Sequence, residues 1–117
     1  MKANELRIGN WIYSKTYSKE IQMKSFFGLC NVEASPDLFK PIPLTEEWLL
    51  KLGCIEVYEN AFQDVDLTFI VEFKENKFIV YLICPMPWIE LEHIKYVHQL
   101  QNLYFALTGE ELIIKSE

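Results

Sequence analysis

From Tyr96 to Thr108 the chain carries no Asp, Glu, Lys or Arg, yet its apolar residues recur at helical spacing. At 100° per residue, Leu103, Tyr96, Leu107, Leu100, Tyr104 and Val97 fall within an arc of about 120°. The spacing predicts an amphipathic helix over 96–108, ended by Gly109, with Glu111–Lys115 returning as a short strand. One such helix must bury its stripe against another element, so the rest of the chain has to supply a layer for it.

The opposite face of this helix holds His98, Gln101, Asn102 and Phe105 at offsets of zero, three, four and seven, which makes one continuous patch. A face meant only for water usually carries Lys and Glu. This one is uncharged, rich in hydrogen-bonding groups and includes one aromatic ring. Three readings follow: cover by another part of the chain, by a second subunit or partner, or by a ligand.

Much of the remaining chain reads as strands. Ile8–Tyr13 mixes β-formers with Gly9, which suits a bulge, and Glu20–Leu29 alternates at its start. Two such strands joined by Ser14–Lys19 form a small sheet, barrel-like in outline. Asn31–Leu44 reads as a linker with one helical turn at Ser35–Phe39, capped by Ser35 with Pro36 at its first position. Lys40–Pro43 must be extended. Thr45–Leu52 has a cap in Thr45, acids at its N-terminus and a terminating Gly53, so a short helix is expected over 45–52, with Trp48, Leu49 and Leu52 on its core side.

Ile55–Tyr58 is a brief strand. Leu67–Phe73 alternates, and Lys74-Glu75-Asn76-Lys77 turns the chain into Lys77–Cys84, giving the clearest hairpin. Phe78–Cys84 is apolar on both faces, which suits a central, covered strand. Pro85 and Pro87 stop it, and Trp88–Ile94 follows as an edge strand. The expected class is α+β: small antiparallel sheets, a helix over 45–52 and another over 96–108, in a single domain of residues 1–117.

Charge narrows the function. Lys+Arg total 11 against 17 Asp+Glu, a formal net charge of −6, with one Arg and no basic run. Residues 1–43 hold a small positive excess and residues 44–117 a large negative one. Nucleic-acid binding through phosphates is not expected. The longest apolar run, Phe78–Cys84, is far short of a membrane span, and Met1–Asn10 lacks the apolar core of a signal peptide. Cys30, Cys54 and Cys84 each sit beside apolar residues at wide spacing. They read as reduced, small hydrophobes in a cytoplasmic protein rather than disulfide or zinc partners.

Chemistry is hard to seat. The histidines, His93 and His98, are five apart, which is not a metal pair on a helix. The acid pairs Glu46/Glu47, Asp64/Asp66, Glu90/Glu92 and Glu110/Glu111 lack any sign of divergent pKa values. No phosphate-binding glycine loop or nucleophile signature occurs. No catalytic residue, metal or cofactor is assigned, and the chain is not expected to be an enzyme. Trp48 reads as core, while Trp11 and Trp88 flank turn-like segments and could line a groove.

Three segments carry a resemblance: Asn4-Glu5-Leu6-Arg7-Ile8-Gly9-Asn10-Trp11, Lys40–Leu50 (Lys-Pro-Ile-Pro-Leu-Thr-Glu-Glu-Trp-Leu-Leu), and Tyr96–Leu112, the most specific of the three. They resemble a family of small proteins, of no established activity, from Bacteroidetes genomes and their phages or prophages. The likeness implies a bacterial or phage cytosolic protein and carries over no site residue. The leading expectation is a non-catalytic interaction domain, bound to a protein partner or to itself as a homo-oligomer, through His98, Gln101, Asn102 and Phe105 with Trp11 or Trp88. The alternative is a protein sequestering a small ligand such as a nucleotide signal, with Arg7, Trp11, Lys24, His98 and Asn102 as the groups to look for.

Overall fold

The computed structural model describes residues 3–64, 68–83 and 88–114. In chain order the elements are β1 (Trp11–Ser14), β2 (Lys19–Gln22), α1 (Phe26–Ala34), β3 (Phe39–Lys40), α2 (Glu46–Lys51), β4 (Ile55–Tyr58), β5 (Ala61–Gln63), β6 (Phe69–Lys74), β7 (Lys77–Leu82), β8 (Ile89–Leu91) and α3 (Val97–Thr108), with 3-10 turns at Ala3–Glu5 and Pro36–Leu38. The protein is α+β, with two antiparallel sheets and three helices among the described residues. None of these helices is long and apolar enough to cross a membrane. The contacts sort into two compact units, Met1–Pro43 with Tyr96–Glu111 and Leu44–Lys95 with Leu112–Glu117.

In the first unit the sheet order is β2-β1-β3, an open three-stranded arrangement with no closed barrel. Leu6, Ile12, Met23 and Val32 form its buried core, with Ile21, Leu29 and Phe39 packed against them. The expected strand Glu20–Leu29 stops at Gln22, and the second half of that segment is helical. Ser25 decides the switch: its hydroxyl accepts from the Gly28 N–H at the start of α1, and the helix then buries Val32 completely. The early alternation of Ile21, Met23 and Ser25 is real strand patterning, but a cap outranks two further residues of it. The linker expected from Asn31 therefore begins only after Ala34. The turn Pro36–Leu38 forms as expected, although the Ser35 side chain does not cap it.

Within the same unit, α3 begins where the Ile42–Pro43 segment meets it. Pro43 bridges Tyr96, the Ile42 carbonyl accepts from the Val97 N–H at 2.8 Å, and the Gln99 side chain accepts from the Tyr96 N–H. These bonds satisfy backbone groups that a helix start leaves open. Gly109 closes the helix at φ +76°, a left-handed conformation that glycine adopts without cost. The strand expected over 111–115 does not form: residues 111–114 are irregular, and Lys115 lies outside the described residues.

In the second unit, Thr45 caps α2 by accepting from the Trp48 N–H, and Trp48, Leu49 and Leu52 are buried as the spacing predicts. The sheet order is β4-β5-β6-β7-β8. The expected hairpin is β6–β7, with Phe69 opposite Leu82 and Lys74 opposite Lys77. Glu75 and Asn76 both have positive φ, the signature of a two-residue mirror-image turn. β8 is an edge strand, as its proline-rich approach predicts; Pro85, Pro87 and Cys84 themselves lie outside the described residues, as do Asp66 and Leu67. Two expectations are corrected. β5 carries no alternation long enough to stand out in sequence and was not expected. The buried central strand is β6, whereas β7 is half-covered, with Val80 its one buried residue.

Candidate functional site

The uncharged face of α3 is met by the chain's own N-terminal segment. Arg7-Ile8-Gly9-Asn10 makes a tight turn, with the Asn10 N–H donating to the Arg7 carbonyl and the Asn10 side chain accepting from the Arg7 N–H. Gly9 sits at φ +103°, where a side chain is disfavoured, so it marks this turn and not a bulge in a strand. The helix reads the turn's exposed backbone. Gln101 accepts from the Trp11 N–H at 2.9 Å and donates to the Gly9 carbonyl at 3.0 Å. Asn102 donates to the Glu5 carbonyl and accepts from both Asn10 and Arg7.

Arg7 is engaged on three sides. It pairs with Glu111, donates to Asn102 at 2.7 Å, and lies 4.0 Å over the Phe105 ring. His98 is 1% exposed and stacked on Tyr96 at 6.0 Å, and neither ring nitrogen is hydrogen-bonded among the described residues. Its Nε2 lies 3.9 Å from a Glu5 carboxylate oxygen. Burial lowers the His98 pKa from its ordinary value, and Glu5 pulls the other way.

Of the six residues expected to bind a partner, His98, Gln101 and Asn102 are thus brought together and turned to the N-terminal turn. Trp11 joins them through its backbone and is half-buried. Phe105 stays 40% exposed beneath Arg7. Trp88 belongs to the second unit and is not part of this cluster. The apolar stripe is also rotated from expectation: Val97, Leu100 and Tyr104 are buried, but Leu107 is exposed, because Gln101 and His98 take buried positions. The signal in sequence was the missing charge itself. Its counterpart, the Arg-Ile-Gly-Asn turn, was not recognised as what the amides would bind.

Sequence reasoning passed over a second surface. Residues directly opposite in an antiparallel ladder share a face. In the second unit, one face of the sheet carries Phe62, Phe69, Val71 and Val80, all buried, and is the apolar core side. The other face carries two rows across the strands. One runs Tyr58, Ala61, Glu72, Ile79, and the other Ile55, Gln63, Ile70, Tyr81, Glu90. Ala61 and Ile70 are fully buried on this face, while Tyr58, Ile55 and Glu90 are exposed. Trp88 stands 41% exposed with its ring 6.2 Å from that of Tyr81.

Desolvation holds the Tyr81 phenol above its ordinary pKa. The nearby charge of Glu72 adds to this, as do Glu90 and Tyr58, while Lys74 opposes. All four groups therefore act on Tyr81. A shallow hollow of about 230 Å³ adjoins it at the β7–β8 side, sharing Ile79 and Glu90 and reaching Lys77, Glu92 and Lys95.

Other chemistry-bearing groups are accounted for structurally. Asp64 is buried and accepts from the Thr68 N–H, the Thr68 hydroxyl and the Phe69 N–H, so it pins the start of β6. Burial pushes the Cys54 thiol up to about 12, aided by Asp64, which leaves it a small core residue. Cys30, read from sequence as a small hydrophobe, is exposed. His93 is exposed. No group of three or more His, Cys, Asp or Glu able to hold a metal occurs among the described residues. In the first unit a hollow of about 240 Å³ is lined by Ser14, Thr16, Tyr17, Asn31, Ala34, Ser35, Leu38 and Phe39, with no acid or histidine. No protein-family model, curated protein or solved structure matches the chain.

Proposed function

We propose that this protein is a non-catalytic interaction domain that binds another polypeptide through the outer face of its five-stranded sheet. The observation that carries this is the set of partly exposed aromatics, Tyr58, Tyr81 and Trp88, on the sheet face opposite the one that buries Phe62, Phe69, Val71 and Val80. Aromatic groups of this kind favour interfaces because they bury large area with few rotatable bonds. Scattered single apolar residues need no explanation, but a contiguous set flanked by charge marks a contact surface.

A small-ligand role at the α3 face gains less support, because His98 and Asn102 face the chain's own N-terminal segment there, Asn102 through Arg7 and Glu5 and His98 towards Glu5. The exposed Cys30 thiol suits a reducing cytoplasm, and the segment resemblance supports a Bacteroidetes or phage setting.

A photo-crosslinking residue in place of Tyr58, expressed in the native host, tests the reading. One discrete adduct is expected from position 58 and none from a control at Leu107. An adduct of twice the chain's mass would identify a second copy as the partner. Equal or absent labelling at both positions would count against the sheet face.

A further inference from the structure

The acids on this face are not scattered. Glu90 stands directly opposite Tyr81 across the β7–β8 ladder, and Glu72 stands opposite Ile79, diagonal to Tyr81. Tyr81 is thus flanked by two carboxylates and by the Trp88 ring. Across Ala61, Tyr58 adds a second phenol beside Glu72. Aromatic faces carry negative potential, and carboxylates beside them deepen it. An anion or a neutral apolar group gains little from such a site, whereas a cation gains from both.

Lys74 and Lys77 stand opposite each other at the hairpin end of the sheet. They confine the attractive region to its middle and disfavour a uniformly basic partner. The separation of sign along one face fits a single ammonium or guanidinium group held between Glu72 and Glu90.

Resting on the interaction-domain reading, we infer that the sheet face receives a lysine or arginine side chain of its partner polypeptide, seated against Tyr81 and Trp88 and flanked by Glu72 and Glu90. The ring stacking supplies contact area and the carboxylates supply charge selectivity. A quaternary ammonium keeps the charge and the ring contact, so a trimethylated lysine still binds. An acetylated lysine loses the charge and does not.

The test uses the full chain and end-capped hexapeptides whose central residue is lysine, trimethyl-lysine, acetyl-lysine or norleucine, followed by NMR at the Trp88 indole and the Tyr81 ring. Millimolar lysine and trimethyl-lysine peptides should shift both signals, and the acetyl-lysine and norleucine peptides should bind roughly tenfold more weakly. Glu72→Gln and Glu90→Gln should each weaken lysine binding and flatten its salt dependence, while the exposed control Glu110→Gln should not. Equal binding of lysine and acetyl-lysine peptides overturns the inference, as does the absence of any shift. If crosslinking from position 58 still captures a partner in that case, the interaction face survives and only its cation preference falls. If neither is seen, both fall.

Discussion

The two units of this chain solve opposite problems. The first hides polar groups: Asn10, Ser14, His98 and Gln101 are all buried there, and its helix recognises a backbone turn by amide hydrogen bonds. The second hides apolar ones, since Phe62, Phe69, Val71 and Val80 fill one side of its sheet, while aromatic and acidic groups remain on the other. Buried amides fix a geometry but add little net stability, because each bond replaces one with water. Buried hydrocarbon adds stability in proportion to area but specifies geometry loosely. The proposed contact surface lies on the other side of that hydrocarbon-stabilised sheet.

The contrast can be broken most severely in the apolar core. Phe69→Ala should cost about 3–5 kcal/mol, read as a lower midpoint in urea denaturation, because Phe69 is fully buried and the space cannot refill. In the polar unit, Gln101→Leu should cost about 1–3 kcal/mol by the same measurement, since it strips the Trp11 N–H of its acceptor within a covered site. A loss as large as that of Phe69→Ala would mean that the amide clip, and not the hydrocarbon, dominates.

His98 adds a pH dependence to the polar unit. Its folded pKa is lowered by burial, so the unfolded chain binds the proton more readily. The stabilisation from the neutral ring is complete above the ordinary histidine value. It is lost as pH falls below that value and through the lowered folded-state pKa. Thermal melts across that range should show the decline, and His98→Phe should flatten it. A wild-type slope of the opposite sign would show that Glu5, not burial, governs the ring.

The smallest effects are expected at the surface. Glu111→Gln should change stability by less than about 1 kcal/mol, because the pair with Arg7 is partly exposed. Trp88→Leu should leave stability within about 0.5 kcal/mol of the parent while removing peptide binding.

These differences also explain what was legible in advance. The helices α2 and α3 and the hairpin β6–β7 could be read because period, cap and turn agree at each: Thr45 and Gly53 bracket α2, Gly109 ends α3, and Glu75-Asn76 turns the hairpin. Helix α1 falls where the sequence suggests the end of a strand and the start of a linker, because its one decisive signal, the Ser25 cap, is local and competes with flanking alternation. The face His98/Gln101/Asn102 could be singled out by its lack of charge, but its cover could not, because the bonds that close it join residues ninety or more positions apart. The sheet face was illegible for a similar reason. Tyr58, Glu72, Tyr81 and Glu90 lie far apart in sequence and are brought to one face only through the register of five strands.

The most direct test compares the two candidate surfaces in one sample, using a soluble paramagnetic agent to report solvent access by NMR. The Trp88 indole and Tyr58 ring signals should broaden strongly while the His98 ring and Gln101 side-chain amide stay sharp. Broadening at His98 and Gln101 with a protected Trp88 would contradict the account, returning the candidate site to the helix.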